Sequence, residues 1–207
     1  MFITFEGGEG SGKSTAIKTL ADRLSKEGYE VILTREPGGT PISEQIREII
    51  LNKKNTEMDG MTEALLYAAA RRQHIVEKVL PALKEGKIVF SDRFLDSSLA
   101  YQGGARGLGI DRVYELNQYA TDGLLPDLTV FFELKPEVGI ARIEANNQRE
   151  VNRLDVEKME FHQRVHDSFM ELARRFPERF LIVDAAKSPK EVAEEAYKII
   201  EQKLHAN

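Results

Sequence analysis

The chain has 207 residues, 42% of them hydrophobic and 30% charged, which is typical of an ordinary globular domain. It contains no cysteine, which excludes disulfides, thiolate metal sites and cysteine nucleophiles, and its net charge of −5 argues against a nucleic-acid-binding surface. With no basic leader and no apolar run near the ~20 residues of a membrane span, the sequence predicts a cytoplasmic protein with one domain, residues 1–207.

Short apolar runs typical of strands alternate along the chain with longer segments of helical periodicity. The expected strands are mostly uninterrupted apolar runs, which indicates burial on both faces, and they span 2–6, 30–34, 88–91, 128–133 and 180–184. The expected helices span 13–26, 43–51, 62–84, 112–121, 136–145, 156–175 and 189–204. Strands separated by helices predict right-handed βαβ crossovers and an α/β fold with a parallel sheet covered on both faces.

A glycine-rich loop lies between the first expected strand and the first expected helix. Residues 7–14 read GGEGSGKS and fit the pattern G-x-x-x-x-G-K-[ST] in full. Backbone N–H groups in such a loop converge on phosphate oxygens, Lys13 can reach the β- and γ-phosphates, and the Ser14 hydroxyl can bind Mg²⁺. The sequence therefore predicts an ATP site formed by Gly7, Gly8, Glu9, Gly10, Ser11, Gly12, Lys13, Ser14 and Thr15. The D-x-x-G and N-K-x-D motifs of a GTP switch are both missing from the sequence.

Charged residues follow the second and third expected strands. In an open parallel sheet, ligands bind beyond the carboxyl ends of the strands, where Glu36, Asp92 and Arg93 are expected to emerge. Asp92 is placed like the aspartate that holds Mg²⁺ in P-loop proteins, directly or through water, and Arg93 brings a planar donor group beside the phosphates. The alternative is a salt bridge at the end of the strand.

Tyr67 and Arg71 lie four residues apart on an expected helix and therefore share a face. An aromatic ring beside a guanidinium suits a nucleobase, although an amphipathic helix with a surface arginine has the same pattern. Glu9 is unusual in a loop for polyanions, so we expect it to face away from the phosphates, toward Mg²⁺-bound water or a sugar hydroxyl; the alternative is a solvent-facing position.

Two polar or glycine-rich segments have less specific patterns. Residues 146–153 are almost entirely polar or charged, which fits a lid or a plain solvated loop equally well. Residues 103–109 contain four glycines, which favours a flexible connector over a second anion-binding loop. The histidines have no metal-ligand spacing with a carboxylate.

Together these segments resemble the thymidylate kinase family over nearly the whole chain. The resemblance rests on residues 7–14, 34–40, 67–72, 92–102 and 152–155, and the run 92–102 is the most specific because general P-loop proteins lack it. It implies a P-loop nucleoside-monophosphate kinase fold with a five-stranded parallel sheet, a lid at about 142–155 and a homodimeric assembly. It further implies transfer of the γ-phosphoryl group from Mg²⁺-ATP to the small-molecule substrate dTMP, giving dTDP and ADP, with no nucleic-acid or membrane partner.

The resemblance also implies roles for individual residues. Arg93 would bind the dTMP phosphate, with Glu36 and Arg47 supporting that end. The remaining substrate contacts would be Arg71 and Gln102 at the thymine edge, Tyr67 stacking on the base, Ser98 helping to hold it, Tyr101 crowding the sugar 2′ position and Glu9 near the 3′-hydroxyl. Tyr67 stands where phenylalanine is common in the family.

The P-loop carries no arginine, and this resembles the branch of the family in which lid arginines serve catalysis. The candidates are Arg142, Arg149 and Arg153, acting together with Lys13 and Arg93. Two alternatives stay open. One is another nucleotide or deoxynucleoside kinase, and with a deoxynucleoside substrate Glu36 could serve as the base. The other is a P-loop module that binds nucleotide without transferring phosphate.

Overall fold

The computed structural model describes residues 1–145, 153–154 and 157–205. Its sheet has five strands: β1 (Phe2–Gly7), β2 (Val31–Arg35), β3 (Ile88–Asp92), β4 (Leu128–Glu133) and β5 (Phe180–Asp184). They lie in the order β2-β3-β1-β4-β5, and every neighbouring pair is parallel. The predicted parallel sheet is confirmed, with each strand boundary within one residue of the expected one.

The helices connect these strands and cover the sheet. They are α1 (Lys13–Lys26), α2 (Pro41–Leu51), α3 (Gly60–His74), α4 (Leu80–Lys84), α5 (Leu95–Ser98), α6 (Ile110–Thr121), α7 (Pro136–Glu144), α8 (Met159–Arg175) and α9 (Pro189–His205). A π-helical segment, Ile75–Val79, joins α3 to α4, so the single helix expected over 62–84 is one run with a π-helical interruption. Pro81 lies just beyond that segment and has no N–H to donate to the preceding turn, which accounts for the change of helical pitch.

The central strands place large apolar residues on both faces of the sheet. On one face Phe2 and Phe131 pack in a cluster that includes residues of α8. On the other face Phe5 and Phe90 pack in a cluster with residues of α1 and α9. The expected two-sided core is therefore present. Within the described ranges, no helix combines the length and the apolar character needed to cross a bilayer.

The expectation of a flexible connector at 103–109 is wrong for its first residues. A second π-helical segment, Leu99–Ala105, continues α5 and contains Gly103 and Gly104. A Cβ on Gly103 would lie 2.9 Å from the Ile110 Cα, and a Cβ on Gly104 would overlap the Ser168 side chain. These glycines allow helices to approach closely, and a sequence pattern alone does not separate that use of glycine from flexibility.

Candidate active site

A cavity of about 420 Å³ opens at the carboxyl edge of the sheet, a volume that suits a small-molecule ligand. The P-loop after β1, the turn after β2 and the residues after β3 meet there with α3 and the Leu99–Ala105 segment. The predicted site residues that line it are Glu9, Gly10, Ser11, Gly12, Lys13, Ser14, Thr15, Glu36, Arg47, Tyr67, Arg71, Asp92, Arg93, Tyr101 and Gln102. Gly7, Gly8, Ser98, Arg142 and Arg153 are not among the lining residues.

The donor end of the cleft is formed by the P-loop and the end of β3. The Ser14 hydroxyl donates to Asp92 Oδ2 at 2.9 Å, and Lys13 Nζ lies 3.8 Å from Asp92 Oδ1. A hydroxyl and a carboxylate are hard oxygen donors of the kind that Mg²⁺ prefers, so the two predicted metal ligands fit this ion. In the described part of the chain, His, Asp and Glu form no cluster of three that could hold a metal ion.

Lys13 is buried among charged groups of both signs. Burial lowers the pKa of its ammonium group, and the nearby charge of Arg93 lowers it further, while Asp92 and Glu9 act in the opposite direction. A charged group held in this way gains most from an anionic ligand that replaces its lost hydration. The donor end is therefore suited to a polyphosphate.

The P-loop packs directly against α7. Gly10 has a positive φ of 72°, and a Cβ there would lie 2.9 Å from the Gly139 Cα. A Cβ on Gly139 would in turn overlap the Glu9 carbonyl oxygen. The sequence pattern identified Gly10 as part of the phosphate loop but gave no sign of Gly139, whose role depends on this contact between distant segments.

The Gly139→Ala substitution is expected to raise the KM for ATP by about tenfold, because backbone atoms cannot move away as side chains can. Alanine favours a helix over glycine by up to ~1 kcal/mol, so any loss must come from the overlap with the P-loop. Steady-state kinetics with varied ATP measure the effect. The control is Gly60→Ala, since a Cβ at Gly60 would come no nearer than 3.8 Å to its neighbours. An unchanged KM for ATP in Gly139→Ala would contradict the prediction.

Arg93 lies at the centre of the cleft in a left-handed backbone conformation, with φ of 71°. Its Nη2 donates to Glu9 Oε1 at 2.7 Å and its Nη1 to Ser97 Oγ at 3.1 Å. The Tyr101 hydroxyl also donates to Glu9 Oε1, at 3.4 Å. Although burial opposes it, electrostatic interactions with Tyr101, Glu9 and Glu6 raise the pKa of Arg93 well above its usual value. Arg93 therefore lines the cleft and forms an ion pair with Glu9 of the P-loop.

Arg71 is 1% exposed, so the alternative of a surface arginine on an amphipathic helix is wrong. Its Nε donates to Glu36 Oε2 at 2.8 Å, and its Nη1 donates to Ser98 Oγ at 3.1 Å. Asn117 and the Phe94 carbonyl accept further hydrogen bonds from the same guanidinium. Ser98 therefore contacts Arg71 and does not face the cleft. The partner residue Asn117 was not found from sequence, because its helix position resembles any other polar site.

Two other predicted residues, Glu36 and Arg47, line the same cavity. Glu36 also contacts His74 Nδ1 at 2.9 Å, so both of its carboxylate oxygens are engaged. Arg47 Nη1 donates to the Pro37 carbonyl at 2.8 Å. Burial lowers the pKa of Arg47, and the nearby Arg35 charge adds to that effect.

The base end of the cleft also contains Tyr67 and Gln102. Burial, with the charge of Glu63 as a second cause, raises the pKa of Tyr67 to about 12. Gln102 Nε2 donates to Glu63 Oε1 at 2.8 Å. Glu63 was not among the predicted residues, although it lies one helical turn before Tyr67.

Both the sequence and the fold match proteins of one family. A model of the thymidylate kinase family matches residues 5–196. Thymidylate kinase from Bacillus licheniformis is 59% identical over 207 residues, covering 100% of this chain and 98% of the relative, and the Bacillus pumilus enzyme is 56% identical with the same coverage. The chain belongs to the thymidylate kinase family. A crystal structure of thymidylate kinase from Ehrlichia chaffeensis superposes with a TM-score of 0.79 at 35% identity, covering 97% of this chain and 98% of that one.

The expected lid arginines of this family member lie outside the cleft or outside the described residues. Arg142, in the last turn of α7, donates to the Gly10 carbonyl at 3.4 Å and to the Ala185 carbonyl at 3.1 Å. Arg153 donates to the Ile50 carbonyl at 2.9 Å and to the Glu63 carboxylate. Arg149 lies outside the described residues, as do Asn152 and Asp155.

Glu6, in β1, is a buried acid that the sequence analysis missed. Its Oε1 accepts from the Phe94 N–H at 2.8 Å, and its Oε2 accepts from the Ser97 hydroxyl at 2.5 Å. Burial raises the pKa of the Glu6 carboxyl to about 7, and Asp96 adds to this, while Arg93 acts in the opposite direction. A glutamate inside an apolar strand was the one signal that could have singled it out.

The raised pKa of Glu6 predicts a pH-dependent contribution to stability. Below its usual pKa of 4.5 the carboxyl is protonated in both states, so folding carries no charge-burial cost. The cost then appears as pH rises toward 7 and is complete above it, and it amounts to about 3 kcal/mol.

Urea unfolding at pH 4.5 and 8 should therefore show that wild type loses about 3 kcal/mol relative to Glu6→Gln between the two pH values. The exposed Glu48→Gln variant controls for removing a carboxylate in general. If the difference between wild type and Glu6→Gln stays constant with pH, Glu6 does not titrate as described.

Proposed function

We propose that this member of the thymidylate kinase family transfers the γ-phosphoryl group of ATP to dTMP in the presence of Mg²⁺, giving dTDP and ADP. The observation that carries the proposal is the cleft itself, in which Lys13 at the donor end, Arg93 at the centre and Arg71 at the base end line one cavity. Such an arrangement allows two phosphate-bearing ligands to meet in line.

At the donor end, the P-loop N–H groups and Lys13 would bind the β- and γ-phosphates of ATP. The Ser14 hydroxyl and the Asp92 carboxylate would hold Mg²⁺, which supplies charge neutralisation to the phosphates when bound. Their 2.9 Å contact already places the two side chains side by side. Lys13 and the P-loop thus fix the group to be transferred.

At the centre, Arg93 would bind the phosphate of dTMP, with Arg47 adding positive charge. The attacking oxygen is already anionic near neutral pH, so the reaction needs no general base. The difficulty is to bring two anions together, and catalysis therefore consists of positioning and charge neutralisation. Glu36 would support the dTMP phosphate site indirectly, because its two oxygens are held by Arg71 and His74.

At the base end, Arg71 and Gln102 would hydrogen-bond to the thymine edge while Tyr67 stacks on the ring. Tyr101 would crowd the sugar 2′ position, and Glu9 would face the 3′-hydroxyl region. Ser98 would act through Arg71, whose Nη1 it holds at 3.1 Å.

We also propose that lid arginines serve catalysis, that the protein forms a homodimer and that it is cytoplasmic; the first two proposals rest on the family resemblance. Arg142 has a contact with Gly10 that supports a place beside the donor nucleotide. Arg153 would have to exchange its contacts with Glu63 and Ile50 for a phosphate. Arg149 is proposed from its place in the polar segment alone.

Release of ADP from Mg²⁺-ATP with dTMP, dUMP, dCMP or thymidine as acceptor tests the proposal. We expect strong turnover with dTMP, little with dCMP and none with thymidine. Turnover with thymidine alone would reassign Arg93 and make Glu36 a candidate base. ATP binding without acceptor-dependent turnover would support a module that does not transfer phosphate.

A further inference from the structure

Glu63 is a buried carboxylate that accepts hydrogen bonds from side chains in distant parts of the chain. Gln102 Nε2 donates to its Oε1 at 2.8 Å, and Arg106 Nε donates to the same oxygen at 3.3 Å. Arg106 Nη2 reaches Oε2 at 3.3 Å, and Arg153 also donates to Oε2. Glu63 itself is 1% exposed. Both oxygens are therefore engaged by donors in the described structure.

These contacts keep Glu63 ionised. Burial raises the pKa of its carboxyl, but the hydrogen bonds from Arg153 and Gln102 and the charge of Arg106 outweigh burial, and the pKa lies below its usual value. An ionised carboxylate only accepts hydrogen bonds. Gln102 must therefore present its NH₂ group to Glu63, which settles an amide orientation that would otherwise have two choices.

The orientation of the Gln102 amide decides what it offers to a nucleobase. With one N–H of Nε2 donated to Glu63, the acceptor that the amide can offer to the cleft is Oε1, and the second N–H of Nε2 is its one remaining donor. Within the described residues, Gln102 Oε1 itself accepts no hydrogen bond. Arg71, another side chain at this end, carries donors only and cannot accept a hydrogen bond from the base.

We propose that Glu63 is a specificity-determining positioning residue, which fixes the Gln102 amide so that its Oε1 accepts the N3–H of thymine or uracil. Cytosine has an unprotonated acceptor at N3, so it would meet a second acceptor and leave both unsatisfied. Sites that discriminate through such unpaired groups reject the wrong ligand more strongly than apolar pockets do. The inference rests on the proposed function and adds the origin of its base selectivity.

The test compares kcat/KM for dTMP with that for 5-methyl-dCMP, which keeps the ring methyl group and the overall shape. In Glu63→Gln the new amide can accept or donate, so Gln102 can turn over, and we expect the ratio of the two kcat/KM values to fall about tenfold or more. A merely structural role would lower both values together and leave the ratio unchanged, and that result would overturn the inference.

Two further variants sharpen the test. Arg106→Met removes a different partner of Glu63 but leaves the carboxylate facing Gln102, and it should leave the ratio unchanged. In a Gln102→Met background, Glu63→Gln should no longer change the ratio, because the residue through which it acts is missing. An equal fall of the ratio in Arg106→Met, or a persistent effect of Glu63→Gln without Gln102, would contradict the inference.

A measurement on the unaltered protein covers the case in which Glu63→Gln does not fold. One of the two side-chain N–H protons of Gln102, labelled with ¹⁵N and assigned by its loss in Gln102→Met, should exchange slowly with water both with and without dTMP, because it donates to Glu63. Loss of this slow exchange on addition of dTMP would mean that the NH₂ group leaves Glu63 for the nucleotide, which overturns the inference. Absence of dTMP turnover in wild type would instead count against the proposed function.

Discussion

The Lys13→Met substitution is expected to lower kcat by about 10²–10³-fold, with a smaller change in the KM for dTMP. Lys13 is the positively charged side chain of the P-loop, and its Nζ lies 3.8 Å from Asp92 Oδ1, at the end of the cleft where we propose that the transferred phosphate binds. Methionine has a similar length and keeps the packing, so the loss reports the charge. Steady-state kinetics with both substrates varied measure the effect.

Lys18→Met provides the matched control, because Lys18 lies on the same helix and is exposed. Its kcat should stay within about twofold of wild type, since exposed substitutions away from the site have small effects. If Lys13→Met raised only the KM for ATP and kept kcat, Lys13 would bind the ground state alone.

The Arg93→Lys substitution is expected to lower kcat/KM for dTMP by about 10²-fold and to change the KM for ATP much less. The guanidinium of Arg93 contacts Glu9 and Ser97 with two nitrogens of a rigid planar fork, and the single nitrogen of an ammonium lacks this geometry. Isothermal titration with dTMP and steady-state kinetics would separate the loss of binding from the loss of turnover.

Arg72→Lys is the control for this substitution, because Arg72 is exposed on α3. It should leave kcat/KM for both substrates close to wild type. A similar loss for ATP and dTMP in Arg93→Lys would contradict the assignment of Arg93 to the acceptor phosphate.

The fold was predictable because its strands carry a strong local signal. The three central strands are apolar on both faces. The glycine-rich loop and Lys13 mark where β1 ends and α1 begins. Errors arose where tertiary contacts decide the backbone. The π-helical segment Leu99–Ala105 contains glycines whose purpose is close packing against Ser168 and Ile110, and glycine in a sequence also fits a flexible loop.

The parts of the site that lie in continuous motifs were found from the sequence, and their partners were not. Asp92 and Ser14 were named and lie in contact. Glu63, Glu6 and Gly139 were missed, because each acts on a segment far away in the chain. A single buried carboxylate has no local pattern, so only the folded structure shows which side chains it holds in place.

The measurement that tests the central claim most directly is a single-turnover experiment with [γ-³²P]ATP, Mg²⁺, dTMP and an excess of the protein. If the donor end at Lys13 and the centre at Arg93 bind the donor and the acceptor phosphate together in one cleft, the label should pass to dTDP, with little inorganic phosphate. The transfer should disappear in Arg93→Lys on the same time scale. Label released as inorganic phosphate at the same rate with and without dTMP would contradict the account.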